Sequence, residues 1–103
     1  MTRHDALVAV IESLHAEIAA LKANDPAALE RATSTKLAAI ETVAAHDHEP
    51  ADAGIRELAA EAHRLNETCR IYVNLMAANV RRRLQNLAGN TAGAYRPHPV
   101  FAA

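Results

Sequence analysis

Tryptophan is absent from this chain, and phenylalanine and cysteine each occur once among its 103 residues. Large aromatic side chains dominate the buried area of thick cores, so their scarcity argues against a wide globular interior. A lone cysteine excludes an intramolecular disulfide and fits a reducing compartment. The first glycine is Gly54, and no alternating run of β-branched residues is present. That leaves no signature of a half-buried strand. Charge of one sign is not in excess either. The formal net charge is −1, so the overall balance points neither to nucleic acid nor to an acidic membrane surface. No apolar run is long enough to span a bilayer. The first residues are charged and lack the apolar h-region of a secretory signal, so a soluble, cytoplasmic protein is expected.

What is present is alanine within a chain that is 50% hydrophobic. Alanine has the highest helix propensity and adds little buried area, which favours closely spaced helices. Thr2 followed by Asp5 reads as a capping pair that opens the first of them. From there Leu7, Ile11, Leu14, Ile18 and Leu21 step 4-3-4-3, a heptad seam. Glu12, Glu17 and Lys22 lie off that seam and are expected to face water. Asn24-Asp25-Pro26 interrupts it. Proline suits the first position of a new helix, with Asp25 as its N-cap; a single kinked helix is the alternative. The next segment carries Leu29, Leu37, Ile40 and Val43 among alanines and charges, a weakly apolar helix expected to be loosely held.

The polar run His46-Asp47-His48-Glu49-Pro50 ends that helix. Beyond it Ile55, Leu58, Ala62, Leu65, Cys69, Val73, Met76, Val80, Leu84 and Leu87 recur at steps of three or four, one face of a helix roughly 50 Å long. Gly89 suits the left-handed residue that closes a helix, and Arg81, Arg82 and Arg83 would complement its C-terminal dipole. Ile71, Tyr72 and Leu75 widen the apolar stripe. The fold expected is all-α: an elongated antiparallel three-helix bundle over 1–88, with helices near 3–23, 26–45 and 52–88, and a flexible tail over 89–103.

Chemistry is sparse. His46, Asp47, His48 and Glu49 are potential metal ligands, but neighbours in a solvated turn rarely converge on one ion. His4 and His15 stand roughly 16 Å apart along one helix, and His63 and His98 have no evident companions. No phosphate-cradling glycine loop exists, and no nucleophile is spaced to a base. Glu57 and Glu61 beside Arg56 and Arg64 read as exposed helix charges. The pattern suggests no enzyme, cofactor or metal, and a single arginine cluster is narrow support for nucleic-acid binding. A long apolar stripe instead suggests helix-in-groove recognition.

Leu65-Asn66-Glu67-Thr68-Cys69-Arg70, then Met76-Ala-Ala-Asn79-Val80-Arg-Arg-Arg-Leu84 and Tyr95, resemble the C-terminal signature of FlgN-type flagellar export chaperones. In the first half Glu17, Leu21, Asp25, Leu29, Glu30 and Lys36 follow that family's order. Cys69 stands where a second asparagine is common, and Arg96 replaces the glycine that usually follows the tyrosine. The resemblance implies a cytoplasmic chaperone without ATPase activity, binding the C-terminal helical segments of hook-associated (hook-filament junction) proteins before export by the flagellar type III apparatus. The partner surface then expected comprises Leu65, Cys69, Tyr72, Val73, Met76 and Val80, with Asn66 and Asn79 setting polar register and Tyr95 touching client or tail. The competing reading is a structural or regulatory protein that buries the same stripe in a homo-oligomer.

Overall fold

The computed structural model describes the backbone over residues 1–95 and the side chains over 1–89. Among these residues the chain is all-α, built from three helices: α1 (Arg3–Ala23), α2 (Pro26–Ala45) and α3 (Ala53–Tyr95). It divides into two compact units, Met1–Tyr72 and Val73–Ala103.

Local chemistry sets the first three helix boundaries. The Asp5 amide donates to Thr2 Oγ1 at 3.0 Å, which caps α1. At the other end Asn24 adopts the left-handed conformation, φ 53° and ψ 50°. The Asn24 amide reaches the Leu21 carbonyl at 3.1 Å and the Asp25 amide reaches that of Ala20 at 2.9 Å. This is a Schellman closure with asparagine in the place glycine usually takes. Asp25 then caps α2, its Oδ1 accepting from the Ala28 amide at 3.1 Å, with Pro26 as first helical residue. The kinked-helix alternative is therefore not what forms. Asp52 caps α3 in the same manner, accepting from the Ile55 amide at 2.8 Å.

Within the first unit α1 is the central element and carries two buried rows. The expected seam is there, with Leu7, Leu14 and Leu21 buried and Ile11 and Ile18 half-buried. A second row, Ala6, Val10, Ser13, Glu17 and Ala20, is buried as well. Small side chains on this row and at Ala32 and Ala39 of α2 let α1 and α2 approach closely. The Ser13 hydroxyl donates back to the Ala9 carbonyl at 2.8 Å, so its burial leaves no orphan donor. Only alanines are buried on α2, and Leu37 and Ile40 remain exposed, as its weak apolar pattern suggests.

The connection from α2 to α3 is clasped by the start of α1. The Arg3 guanidinium donates to the carbonyls of His46 at 3.3 Å, Glu49 at 2.8 Å and Pro50 at 2.7 Å. The carbonyls of the connection thereby gain a charged donor, that of His46 in addition to the Glu49 amide at 3.0 Å. The clasp also brings the start of α1 to the end of α2, so these two helices run antiparallel. Along α3, Cys69 lies against Leu14 and Tyr72 against Lys22, so this part of α3 returns in the direction of α1.

One boundary differs from expectation. α3 does not stop near Ala88 but continues through Gly89 to Tyr95. No described glycine has positive φ, and nothing lies within 4 Å of a Cβ built on Gly89. Gly89 therefore takes ordinary helical geometry, at a cost of about 1 kcal/mol relative to alanine. The remaining tail residues, 96–103, lie outside the described part of the chain.

Candidate partner-binding surface

The most tightly organised polar group is centred on Glu17, a residue expected in solvent and found 4% exposed. Its Oε2 accepts from the Thr33 hydroxyl at 2.7 Å and its Oε1 from the Lys36 ammonium at 3.0 Å, both on α2. The Cys69 thiol of α3 faces the same Oε1 at 3.7 Å and the Leu14 carbonyl at 3.8 Å. Glu17 lies on the small-residue row of α1, between Ser13 and Ala20, and that row is buried because α1 has neighbours on two sides. Burying a carboxylate is tolerable only when it is paired and hydrogen-bonded, and all three helices contribute to that here.

Cys69 is accordingly not available to a partner. It is 7% exposed, and burial together with the Glu17 carboxylate raises its thiol above the ordinary cysteine range. A protonated, enclosed thiol is a poor nucleophile. Its placement on the expected partner surface is corrected: it belongs to the interior of the first unit. Leu65 and Tyr72 of that unit are half-buried and Asn66 is exposed. The Lys22 ammonium stands 5.6 Å from the centre of the Tyr72 ring, a contact worth about 0.5–1 kcal/mol near the surface.

The other expected residues fall in the second unit. Val73 is 48% and Val80 53% exposed, Leu84 reaches 61%, and Met76 is half-buried. Each residue of a helix advances about 100°, so Val73, Met76, Val80, Leu84 and Leu87 fall within an arc of about 80°. Leu75, 62% exposed, is advanced about 200° from Val73 and emerges on the far side. It does not widen the stripe, contrary to the sequence pattern's suggestion. Asn79 is exposed, its Oδ1 accepting from Arg82 at 3.2 Å. Tyr95 ends α3, and its side chain lies outside the described part.

The extended helix also changes the reading of the arginine cluster. Arg81, Arg82 and Arg83 lie about three turns before Tyr95, and the last turn of α3 contains no basic residue. The helix dipole acts only within the final turn, so these arginines do not serve as its end-cap.

Other chemistry is confined to the surface. His46 and Glu49 pair with each other, and the hydrogen bond from His46 holds the Glu49 carboxyl below its ordinary value. Among the described residues no group of three His, Cys, Asp or Glu could hold a metal ion, and no helix is long and apolar enough to cross a membrane. A groove between α1 and α2 is lined mainly by Ala9, Ser13, Ala16, Ala28 and Ala32. Its two hydroxyls, Ser13 and Thr35, both donate to backbone carbonyls, of Ala9 at 2.8 Å and Arg31 at 3.1 Å. No protein-family model, curated protein or solved structure matches the chain.

Proposed function

We propose that this chain is a non-enzymatic helical binding protein, in its specific form a FlgN-type export chaperone that covers an amphipathic segment of a hook-filament junction protein in the cytoplasm. The observation that carries this reading is the row of exposed apolar side chains at Val73, Val80 and Leu84. An unassembled export substrate holds a helix-forming segment destined for a polymer, and that segment self-associates unless its apolar face is covered. Covering it needs a complementary apolar helix face and no bond chemistry. Burial at about 25 cal/mol per Å² supplies the affinity, offset by a few kcal/mol for ordering the segment.

The test is calorimetric titration of the full chain with the C-terminal segment of a junction protein, comparing wild type with Val80→Asp and Met76→Asp. Circular dichroism confirms that each variant stays helical. Placing an unpaired carboxylate in the seam is expected to weaken binding by 100-fold or more, about 3 kcal/mol. Unchanged affinity in helical variants removes these residues from the interface and the reading with them.

A further inference from the structure

The near-neutral total charge conceals a sharp division along the chain. All twelve acidic residues lie at or before Glu67; after it come Arg70, Arg81, Arg82, Arg83 and Arg96, and no acidic side chain. Arg70 is answered by Glu67 at 2.9 Å, and Arg82 donates to Asn79. Among the described residues no ion pair engages Arg81 or Arg83. Both flank the apolar stripe. Arg83 is rotated about 20° beyond Met76 on one side, and Arg81 about 60° beyond Leu84 on the other. A narrow seam bordered by charge is the arrangement by which one helix selects another, the flanking charges choosing the partner.

Three occupants compete for such a face. A second copy of this chain would set arginine against arginine, because the second unit has no carboxylate side chain to offer. Nucleic acid would satisfy the guanidiniums and leave Val73, Val80 and Leu84 uncovered. An anionic membrane surface would accept both, but interfacial helices bury a broader face than an arc of about 80°. A helix carrying carboxylates beside its apolar row satisfies the seam and both arginines together.

Resting on the binding reading above, we infer that the occupant of this stripe is an acidic amphipathic α-helix. Its apolar row sits on Val73, Met76, Val80 and Leu84, and its flanking carboxylates pair with Arg81 and Arg83.

Two synthetic helical peptides with one shared leucine row, flanked by glutamate in one and lysine in the other, test this against the full chain by calorimetry. The glutamate peptide is expected to bind about tenfold more tightly, the scale of two exposed ion pairs, with the difference shrinking as salt is raised. The double variant Arg81→Glu/Arg83→Glu reverses the order, and Val80→Asp loses both peptides. Equal binding of the two peptides by wild type overturns the acidic preference and leaves the apolar stripe as a binding face. Failure of both peptides, with the chain sedimenting as a dilution-resistant dimer, overturns the stripe as a client face as well. Binding of phosphatidylglycerol vesicles or single-stranded RNA in place of both peptides overturns the inference in favour of those surfaces. Failure of the hook-junction segment alone, with the glutamate preference intact, sinks the flagellar assignment and keeps the acidic helix.

Discussion

Replacing Lys36 by methionine is expected to destabilise the protein by about 3 kcal/mol, because it strands the Glu17 carboxylate inside the bundle. Glu17 has three partners: the Lys36 ammonium at 3.0 Å, the Thr33 hydroxyl at 2.7 Å and the Cys69 thiol at 3.7 Å. Lys36 is the only cation among them, and its side chain is itself only 17% exposed. Removing it leaves one hydroxyl and a weak thiol donor to solvate a full charge. The double variant Glu17→Leu/Lys36→Met removes both charges and is expected to regain most of the loss, since an ion pair replaced by apolar groups of similar size is often neutral. Urea denaturation of the two variants measures both numbers. If the single variant loses under about 0.5 kcal/mol, the typical scale of a surface substitution, Glu17 is hydrated and the three-helix junction is not sealed.

Leu14→Ala is expected to cost about 3 kcal/mol, within the range for emptying a buried leucine site. Leu14 is 1% exposed and is the largest fully buried side chain among the described residues. It stands on the α1 seam one turn before Glu17, and its carbonyl faces Cys69 of α3. In a bundle whose other buried positions include the small side chains of Ala6, Ser13, Ala20, Ala32 and Ala39, few side chains can move to fill the space. Thermal unfolding followed by circular dichroism should show the midpoint falling by more than about 10 °C. A fall of only a few degrees would mean that the core contributes little and that the helices are held by their caps and charges.

The three-helix architecture and the limits of α1 and α2 were legible because their determinants are local. Thr2, Asp25 and Pro26 each act within one turn of their own position, and the leucine seam of α1 follows directly from spacing. Asn24 in the left-handed region was a subtler cue, since asparagine tolerates that conformation but does not demand it. Glu17 was misread because a charged residue off the leading seam usually faces water, and its burial depends on α1 having two neighbours. The available signal was the second row, Ala6-Val10-Ser13-Glu17-Ala20, which repeats the 4-3-4-3 step of the leucine seam one position ahead. Gly89 misled in the opposite sense: a glycine closes a helix only when the chain takes positive φ there, and Ala88 and Ala92 on either side favour continuation.

On the proposed binding surface, periodicity alone places Val73, Met76 and Val80 on one helix face. Cys69 shares that periodicity but falls within the part of α3 that α1 covers, which spacing could not distinguish. An end-cap role for the arginine cluster holds only for a helix that stops at Ala88. With α3 running to Tyr95, the absence of any acidic side chain after Glu67, where Arg81, Arg82 and Arg83 cluster, becomes informative.

Amide hydrogen exchange of the full chain, alone and with the hook-junction segment, tests the central claim most directly. The account predicts that peptides covering residues 73–89 gain protection when the segment is added, while those covering α2 stay unchanged. Strong protection of 73–89 in the dilute protein alone, unaltered by the segment, would contradict it, because that stripe would already be covered.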